Sequence, residues 1–207
     1  KNLELMNFKI GILDLGLNNL KSLVSFFKQF GEVFLINSDK DDISKFNTLI
    51  LPGNGKFKTG MDIIKTKNFE KMILNCISSK KTLIGICLGM QLFFDKSEEN
   101  KNCKGLSLIK GEVKKINSSI YKLPLLGWYD INFKNDNKLV KNSFYFNNNY
   151  SVFSDDKQIE YGHIENNENQ NICAIIKKKC IYGLQFHPEK SSYNGRILMD
   201  KILKNEF

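Results

Sequence analysis

The sequence predicts a single α/β domain with a mostly parallel central sheet flanked by helices and additional antiparallel strands in its second half. In the first half, short apolar runs alternate with segments of helical hydrophobic spacing, the pattern of a parallel sheet covered on both faces. In the second half, apolar strands follow one another with turns between them. No linker or repeat divides the 207 residues, which suffice for one domain with a substantial core.

The first half is predicted to alternate strands and helices from its beginning to Phe94. Four strands are predicted, over residues 8–16, 32–38, 46–55 and 82–87, and the first and third of them are predicted to be buried. Two helices are predicted between them, over residues 19–31, which end in a glycine stop, and 61–80, in one or two pieces. The segment GMQLFF, residues 89–94, opens a further helix directly after the last of these strands.

The second half is predicted to consist mainly of strands that pair across turns. Strand patterns cover residues 105–116, 122–133, 143–153, 158–164 and 171–189. Residues 192–207 close the chain as an amphipathic helix. The predicted domain covers residues 7–207, and residues 1–6 are interpreted as an N-terminal extension or the remnant of a tag.

The composition argues against several classes of function. The net charge is +9, but Arg196 is the only arginine and the lysines are scattered, so we predict a solvated surface and no nucleic-acid partner. Five cysteines without CxxC spacing and two histidines predict no metal site, and we expect no cofactor. No apolar run of about 20 residues and no signal peptide are recognisable, so reduced thiols, a cytoplasmic location and no membrane contact are expected.

The stretch GICLG, residues 85–89, places a cysteine between two glycines at a predicted strand-to-helix turn. A nucleophile elbow has this form: a sharp turn holds the nucleophile above the sheet, and small flanking residues relieve crowding. Cys87 would lie at the positive end of a helix, which stabilises a thiolate, and the N–H of Leu88 could support an oxyanion. A buried structural cysteine is the alternative, because free cysteine is often buried.

A cysteine nucleophile needs a base, and the base needs a group that orients it. In GLQFHPEKS, strand alternation would place His187 and Glu189 on one face, with Glu189 fixing the histidine tautomer. A strand-end histidine capped by a glutamate is the alternative. The second histidine, His163, lies in a polar, turn-like segment and is interpreted as structural or surface-exposed.

The segment LPGNG, residues 51–55, ends a buried strand in glycines. Its backbone N–H groups would be open to an oxyanion or to a substrate because few side chains obstruct them. A plain glycine turn is the alternative.

With these motifs the sequence resembles the class I (triad) glutamine amidotransferases, over essentially the whole chain from about Phe8. GICLGMQ together with QFHPEKS is highly specific for the class, and GILDLGLNNL with LPGNGKF is similar to the branch of histidine biosynthesis. The resemblance implies the fold of that class. It also implies that Cys87 attacks the side-chain amide of L-glutamine to form a thioester, with His187 as acid and base and Glu189 as its orienter.

The resemblance further implies oxyanion and glutamine-binding residues. They are Gly53, Asn54, Gly55, Leu88, Gln91, Asn149 and Tyr150. In the family, the released ammonia passes to a (β/α)8-barrel synthase that docks over the glutaminase site as a heterodimer partner. This sealed passage keeps ammonia neutral and prevents the waste of glutamine.

Some positions depart from the pattern of the histidine branch without touching the triad. They are Leu125, Leu126 and Tyr129 in PLLGWYD, and Asn148 in NNNY. Drift in a lysine- and asparagine-rich chain is one explanation. The other is a different barrel partner, as in the paralogues that supply ammonia for acetamidino-sugar formation in surface polysaccharides. A stand-alone Cys-His-Glu hydrolase, such as a γ-glutamyl hydrolase or the vitamin B6 glutaminase, and a non-catalytic binding module are the remaining alternatives.

Overall fold

An eight-stranded sheet runs through the centre of the computed structural model, which describes residues 8–17, 20–133, 143–164 and 171–207. The interpretation of residues 1–6 lies outside the described residues. The strand order is β2-β1-β3-β4-β14-β13-β12-β9. These strands are β1 (Phe8–Leu13), β2 (Gly31–Ile36), β3 (Thr48–Leu51), β4 (Thr82–Ile86), β9 (Asn132–Phe133), β12 (Glu160–Ile164), β13 (Ile172–Lys178) and β14 (Ile181–Leu184).

The sheet divides into a parallel and an antiparallel part, as the sequence predicts. Strands β2, β1, β3, β4 and β14 pair in parallel, while β13, β12 and β9 continue the sheet in antiparallel fashion. Strand β14 therefore joins the two parts, and it lies directly beside β4 at the centre of the sheet. The predicted fold class is confirmed.

Two smaller sheets complete the strands of the second half. One pairs β8 (Leu125–Asp130) with β10 (Ser143–Asn148), and the other has the order β11-β7-β5-β6. The strands of the latter are β5 (Lys96–Ser97), β6 (Asn100–Lys104), β7 (Glu112–Lys115) and β11 (Tyr150–Phe153). The hairpin of β5 and β6 was not expected from the sequence.

Five helices are present among the described residues: α1 (Leu20–Phe27), α2 (Phe57–Thr66), α3 (Phe69–Ser78), α4 (Leu88–Gln91) and α5 (Ser192–Leu203). The segment predicted as helix 61–80 forms two helices, separated where Asn68 takes a left-handed conformation. No helix among these described residues is long and apolar enough to cross a membrane.

Helix α4 is a single turn, shorter than GMQLFF suggests. A longer helix would use the carbonyls of Leu92 and Phe93. These carbonyls instead accept hydrogen bonds from the returning loop, at Leu106, Leu108 and Ile109, so the helix does not continue. The apolar residues after Gln91 are instead buried in the core, since Leu92, Phe93 and Phe94 are all fully buried.

The core lies on both faces of the sheet, in two clusters. One contains Leu51, Phe57, Leu88 and Met90, and the other contains Ile86, Cys87, Leu184 and Phe186 along with many further residues. Buried strands of this kind hold the chain segments at their carboxyl ends in fixed positions.

Candidate active site

Three adjacent strands end at the same edge of the central sheet. Strand β4 is followed at once by Cys87, and Leu51 at the end of β3 is paired with Gly85. On the other side Ile86 is paired with Leu184, the last residue of β14. Because parallel strands present their carboxyl ends together, this edge gathers the segments that begin at Pro52, Cys87 and Gln185, where ligands bind in open α/β sheets.

Cys87 has a backbone conformation that L-residues rarely adopt, with φ of 54° and ψ of −110°. It is the N-cap of α4, its N–H donates to Leu184 O at 2.7 Å, and its carbonyl accepts from Met90 N at 3.1 Å. The side chain is buried, with 5% exposed. The cysteine therefore occupies a strained strand-to-helix turn, as the elbow motif predicts.

Neighbouring glycines make this turn possible. A Cβ on Gly89 would lie 1.8 Å from Leu51 O, and one on Gly85 would lie 2.6 Å from the ring of Phe93. On Gly53, a Cβ would lie 2.9 Å from the Cβ of Leu88. The two segments predicted to serve an oxyanion, at Gly53 and Leu88, are thus in contact with each other.

His187 is hydrogen-bonded to Glu189: its Nδ1 donates to Glu189 Oε1 at 2.9 Å. The contact forms, but strand alternation does not produce it. Strand β14 ends at Leu184, and His187 is the N-cap of a 3-10 turn, Pro188–Lys190, that folds the glutamate back onto the ring. Proline starts this turn because its φ suits a first helical position and no N–H is needed there.

The second polar atom of each side chain in this pair is buried. His187 Nε2 and Glu189 Oε2 have no hydrogen-bond partner among the described residues, although both are screened from solvent. Buried polar atoms of this kind call for an explanation in a native structure.

The ionisation of His187 reflects these neighbours. Burial, the largest single effect, lowers the pKa of His187, but its interactions with Cys87 and Glu189 outweigh burial and raise the pKa from 6.5 to about 10. Among the effects that raise the pKa of His187, the interaction with Cys87 comes first and the interaction with Glu189 second. The arrangement therefore favours the protonated form of His187.

Two of the predicted glutamine-binding residues are joined directly. Gln91 is buried, and its Nε2 donates to the carbonyl of Tyr150 at 3.2 Å. Asn149 is exposed, and its carbonyl accepts from Ile116 N at 2.9 Å. Asn54 and Gly55 are exposed too, and Gly55 has φ of 118°, which only glycine adopts readily.

Sequence reasoning missed Gln185, which is fully buried between Gln91 and Cys87. A signal was available: a glutamine inside an apolar strand, two residues before His187, shares the face of the histidine. Reasoning also missed Glu99, whose Oε2 accepts from Phe57 N at 2.7 Å, just beyond the LPGNG segment. Its position depends on the unpredicted β5–β6 hairpin.

The second histidine, His163, lies elsewhere in the sheet. His163 is on β12, where Cys173 is its partner across the antiparallel pair with β13. Among the described residues, no three histidine, cysteine, aspartate or glutamate side chains are grouped so that they could hold a metal ion.

Comparison with known proteins gives three consistent results. The family model "Glutamine amidotransferase class-I" matches residues 11–205. A HisH subunit of imidazole glycerol phosphate synthase from Bacillus anthracis is 36% identical over 200 residues, covering 95% of this chain and 92% of the relative. Among solved structures, one titled as a glutamine amidotransferase has a TM-score of 0.76 at 16% identity, covering 94% of this chain and 97% of that one.

A further solved structure, PurLQS from Thermotoga maritima, is similar in fold. Its TM-score is 0.74 at 17% identity, and the match covers 97% of this chain and 99% of that one. At such identities the structural matches show a shared fold alone.

Proposed function

The chain belongs to the class I glutamine amidotransferase family, and on that premise we propose that Cys87, His187 and Glu189 hydrolyse the side-chain amide of glutamine. The observation that carries the proposal is the convergence of the strained Cys87 turn with the His187–Glu189 pair at the ends of β4 and β14. These are the parts of a nucleophile, a base and an orienter.

In the first half-reaction, the sulfur of Cys87 attacks the amide carbon of glutamine. The tetrahedral intermediate then loses its C–N bond, and His187 gives the leaving nitrogen a proton, so that ammonia departs and a thioester remains. In the second half-reaction, water attacks the thioester carbon while His187 takes its proton. The C–S bond breaks, glutamate leaves, and the net reaction is glutamine plus water to glutamate plus ammonia.

The negative oxygen of both intermediates needs hydrogen-bond donors that are already in place. We assign this task to backbone N–H groups of the Gly53–Gly55 segment and of Leu88, which pack together beside Cys87. Gln91, Asn149 and Tyr150 are proposed to hold glutamine, Gln91 and Tyr150 being already linked by a hydrogen bond.

Glu99 is proposed to contribute to the same glutamine site. Its carboxylate lies at the start of α2, directly after the LPGNG segment, and its charge helps to raise the pKa of Tyr150, second to the burial of that residue. A carboxylate between these two segments complements the α-ammonium group of an amino acid.

We propose further that the ammonia passes to a (β/α)8-barrel synthase in a heterodimer. An apolar exposed face lies beside the site: Trp128 on β8 is 53% exposed, its ring packs edge-on against Tyr145 on β10, and Lys190 lies over the Tyr145 ring. Exposed aromatic residues with a neighbouring cation are typical of a docking surface. We call Leu126, Trp128, Tyr145 and Lys190 the docking face.

The test measures glutamate release from glutamine by the purified chain, alone and with candidate barrel synthases and their ligands. We expect strong stimulation by the histidine-pathway barrel, and a loss of at least about 10³-fold in Cys87→Ala. Cys103→Ala, the same change at a half-buried cysteine on β6, is the matched control and should retain activity. Full activity without any partner would contradict ammonia transfer and favour a stand-alone hydrolase.

The second candidate is a subunit that supplies ammonia for acetamidino-sugar formation. It is favoured by the departure at Leu126, which is 54% exposed on the docking face and would contact the partner there. The departures at Leu125, which is fully buried, and at Tyr129, which packs against Phe146, do not bear on it. Stimulation by a polysaccharide-pathway barrel, and not by the histidine-pathway barrel, would establish it.

A further inference from the structure

The side chain of Gln185 lies between the nucleophile and the proposed glutamine site. It is fully buried, its Nε2 donates to Cys87 Sγ at 3.8 Å, and its Oε1 accepts from Gln91 Nε2 at 3.0 Å. The backbone holds it there, because Gln185 N donates to Ala174 O at 2.8 Å on β13. The mechanism described above does not use this residue.

Hydrogen-bond chemistry fixes which end of the amide faces the sulfur. The carbonyl of Tyr150 can only accept, so the amide of Gln91 must turn its NH₂ group toward that carbonyl. The second hydrogen of the same NH₂ group then goes to Gln185 Oε1. As a result, the NH₂ group of Gln185 points at Cys87, and the sulfur is the acceptor.

Asn148 lies at the other end of this chain of amides. Its Nδ2 also donates to the carbonyl of Tyr150, at 2.9 Å, so both donors meet on one carbonyl. The resulting chain runs from β10 through Tyr150, Gln91 and Gln185 to the nucleophile. Gln91 Nε2 donates both to the Tyr150 carbonyl and to Gln185 Oε1, and Gln185 Nε2 donates to the sulfur.

We propose that Gln185 is a positioning residue for Cys87. The side-chain amide of Gln185 donates to the sulfur of Cys87 and stabilises the thiolate, while Gln91 holds that amide in place. This inference rests on the proposed role of Cys87 as the nucleophile. A donor to sulfur favours the charged form of the thiol, as hydrogen bonding does for any anion. His187, with Glu189 behind it, is the titratable group that the site places against Cys87, and Gln185 acts on the sulfur without a charge of its own.

The test is the rate at which iodoacetamide alkylates Cys87, followed across pH by mass spectrometry of the peptide that contains Cys87. In Gln185→Met, which is similar in size but cannot donate, we expect alkylation at neutral pH to fall about tenfold. The midpoint of the pH profile should move to higher pH, and the plateau at high pH should remain. Gln185→Glu should show a larger shift, because a carboxylate would face the thiolate.

Gln158→Met is the matched control, the same substitution at an exposed position, and it should alkylate like the natural chain. An unchanged midpoint in Gln185→Met would overturn the proposal, whatever Gln185→Glu shows. A lower plateau with an unchanged midpoint would also overturn it, since this would show altered access instead of altered ionisation. If Gln185→Met fails to fold, as judged by thermal unfolding, Gln185→Leu, which also cannot donate, takes its place with the same outcomes.

Alkylation requires neither glutamine nor a barrel partner. If the chain hydrolyses no glutamine in any mixture, the alkylation rates still test the role of Gln185. Failure of the proposed function can therefore be distinguished from failure of this inference.

Discussion

Cys87 combines a reactive side chain with an unfavourable backbone conformation. A residue with φ of 54° and ψ of −110° stores about 1–3 kcal/mol of strain when it has a Cβ. Glycine avoids this strain at an entropic cost of about 0.5–1 kcal/mol. We therefore predict that Cys87→Gly is about 1 kcal/mol more stable to unfolding than Cys87→Ala, although both variants are expected to be inactive. Urea unfolding measures the difference. Equal free energies of unfolding would contradict the backbone strain at Cys87.

The ionisation of His187 gives a second prediction at this scale. Because the folded state raises the pKa of His187 from 6.5 to about 10, its protonation stabilises the fold fully below pH 6.5. This contribution is lost as the pH rises toward 10. Urea unfolding at several pH values should show this decline, and His187→Gln should lack it.

Nuclear magnetic resonance measures the pKa of His187 directly, since the chain has two histidines and His163→Gln identifies the other signal. We predict that Glu189→Gln lowers the pKa of His187, because the carboxylate that favours the imidazolium is removed. An unchanged titration would show that Glu189 has no such effect.

Among the elements, α4 depends on a glycine for its contact with β3. A Cβ on Gly89 would lie 1.8 Å from Leu51 O, a backbone atom that cannot turn away. We predict that Gly89→Ala lowers the free energy of unfolding by about 3 kcal/mol or more. Gly16→Ala is the comparison: it has φ of 65° but nothing within 4 Å of a Cβ, so a loss of about 1 kcal/mol is expected. Equal losses in urea unfolding would contradict the close contact.

The elements also show what could be predicted from the sequence and what could not. Strands such as β4 and β14 were predictable because buried apolar runs and local turn residues define them. The short α4 and the β5–β6 hairpin were not, because they depend on hydrogen bonds with a distant loop at residues 106–109 and with β7. The residues of the proposed triad stand in local motifs, and Gln185 is marked only as a glutamine in an apolar segment, whereas Glu99 is recognisable only when distant segments are seen together.

For the whole molecule, the docking face should govern association with the barrel partner. Leu126→Ala removes an exposed side chain from that face, whereas Leu74→Ala makes the same change on α3, where Leu74 is 49% exposed. We predict that Leu126→Ala weakens partner binding about fivefold to tenfold and that Leu74→Ala leaves it unchanged. Calorimetric titration measures both, and equal affinities would place the interface elsewhere.

The hydrogen bonds around Ser191 connect this face to the base. Ser191 Oγ donates to the carbonyl of His187 at 2.6 Å and accepts from Tyr145 N at 3.0 Å, while His187 N donates to Tyr145 O at 2.9 Å. On β10, Phe144 and Phe146 point into the core in alternation with outward residues. Because these hydrogen bonds use backbone atoms of Tyr145, the outer side chains of β8 and β10 can be replaced to suit a different partner without disturbing the backbone that holds His187.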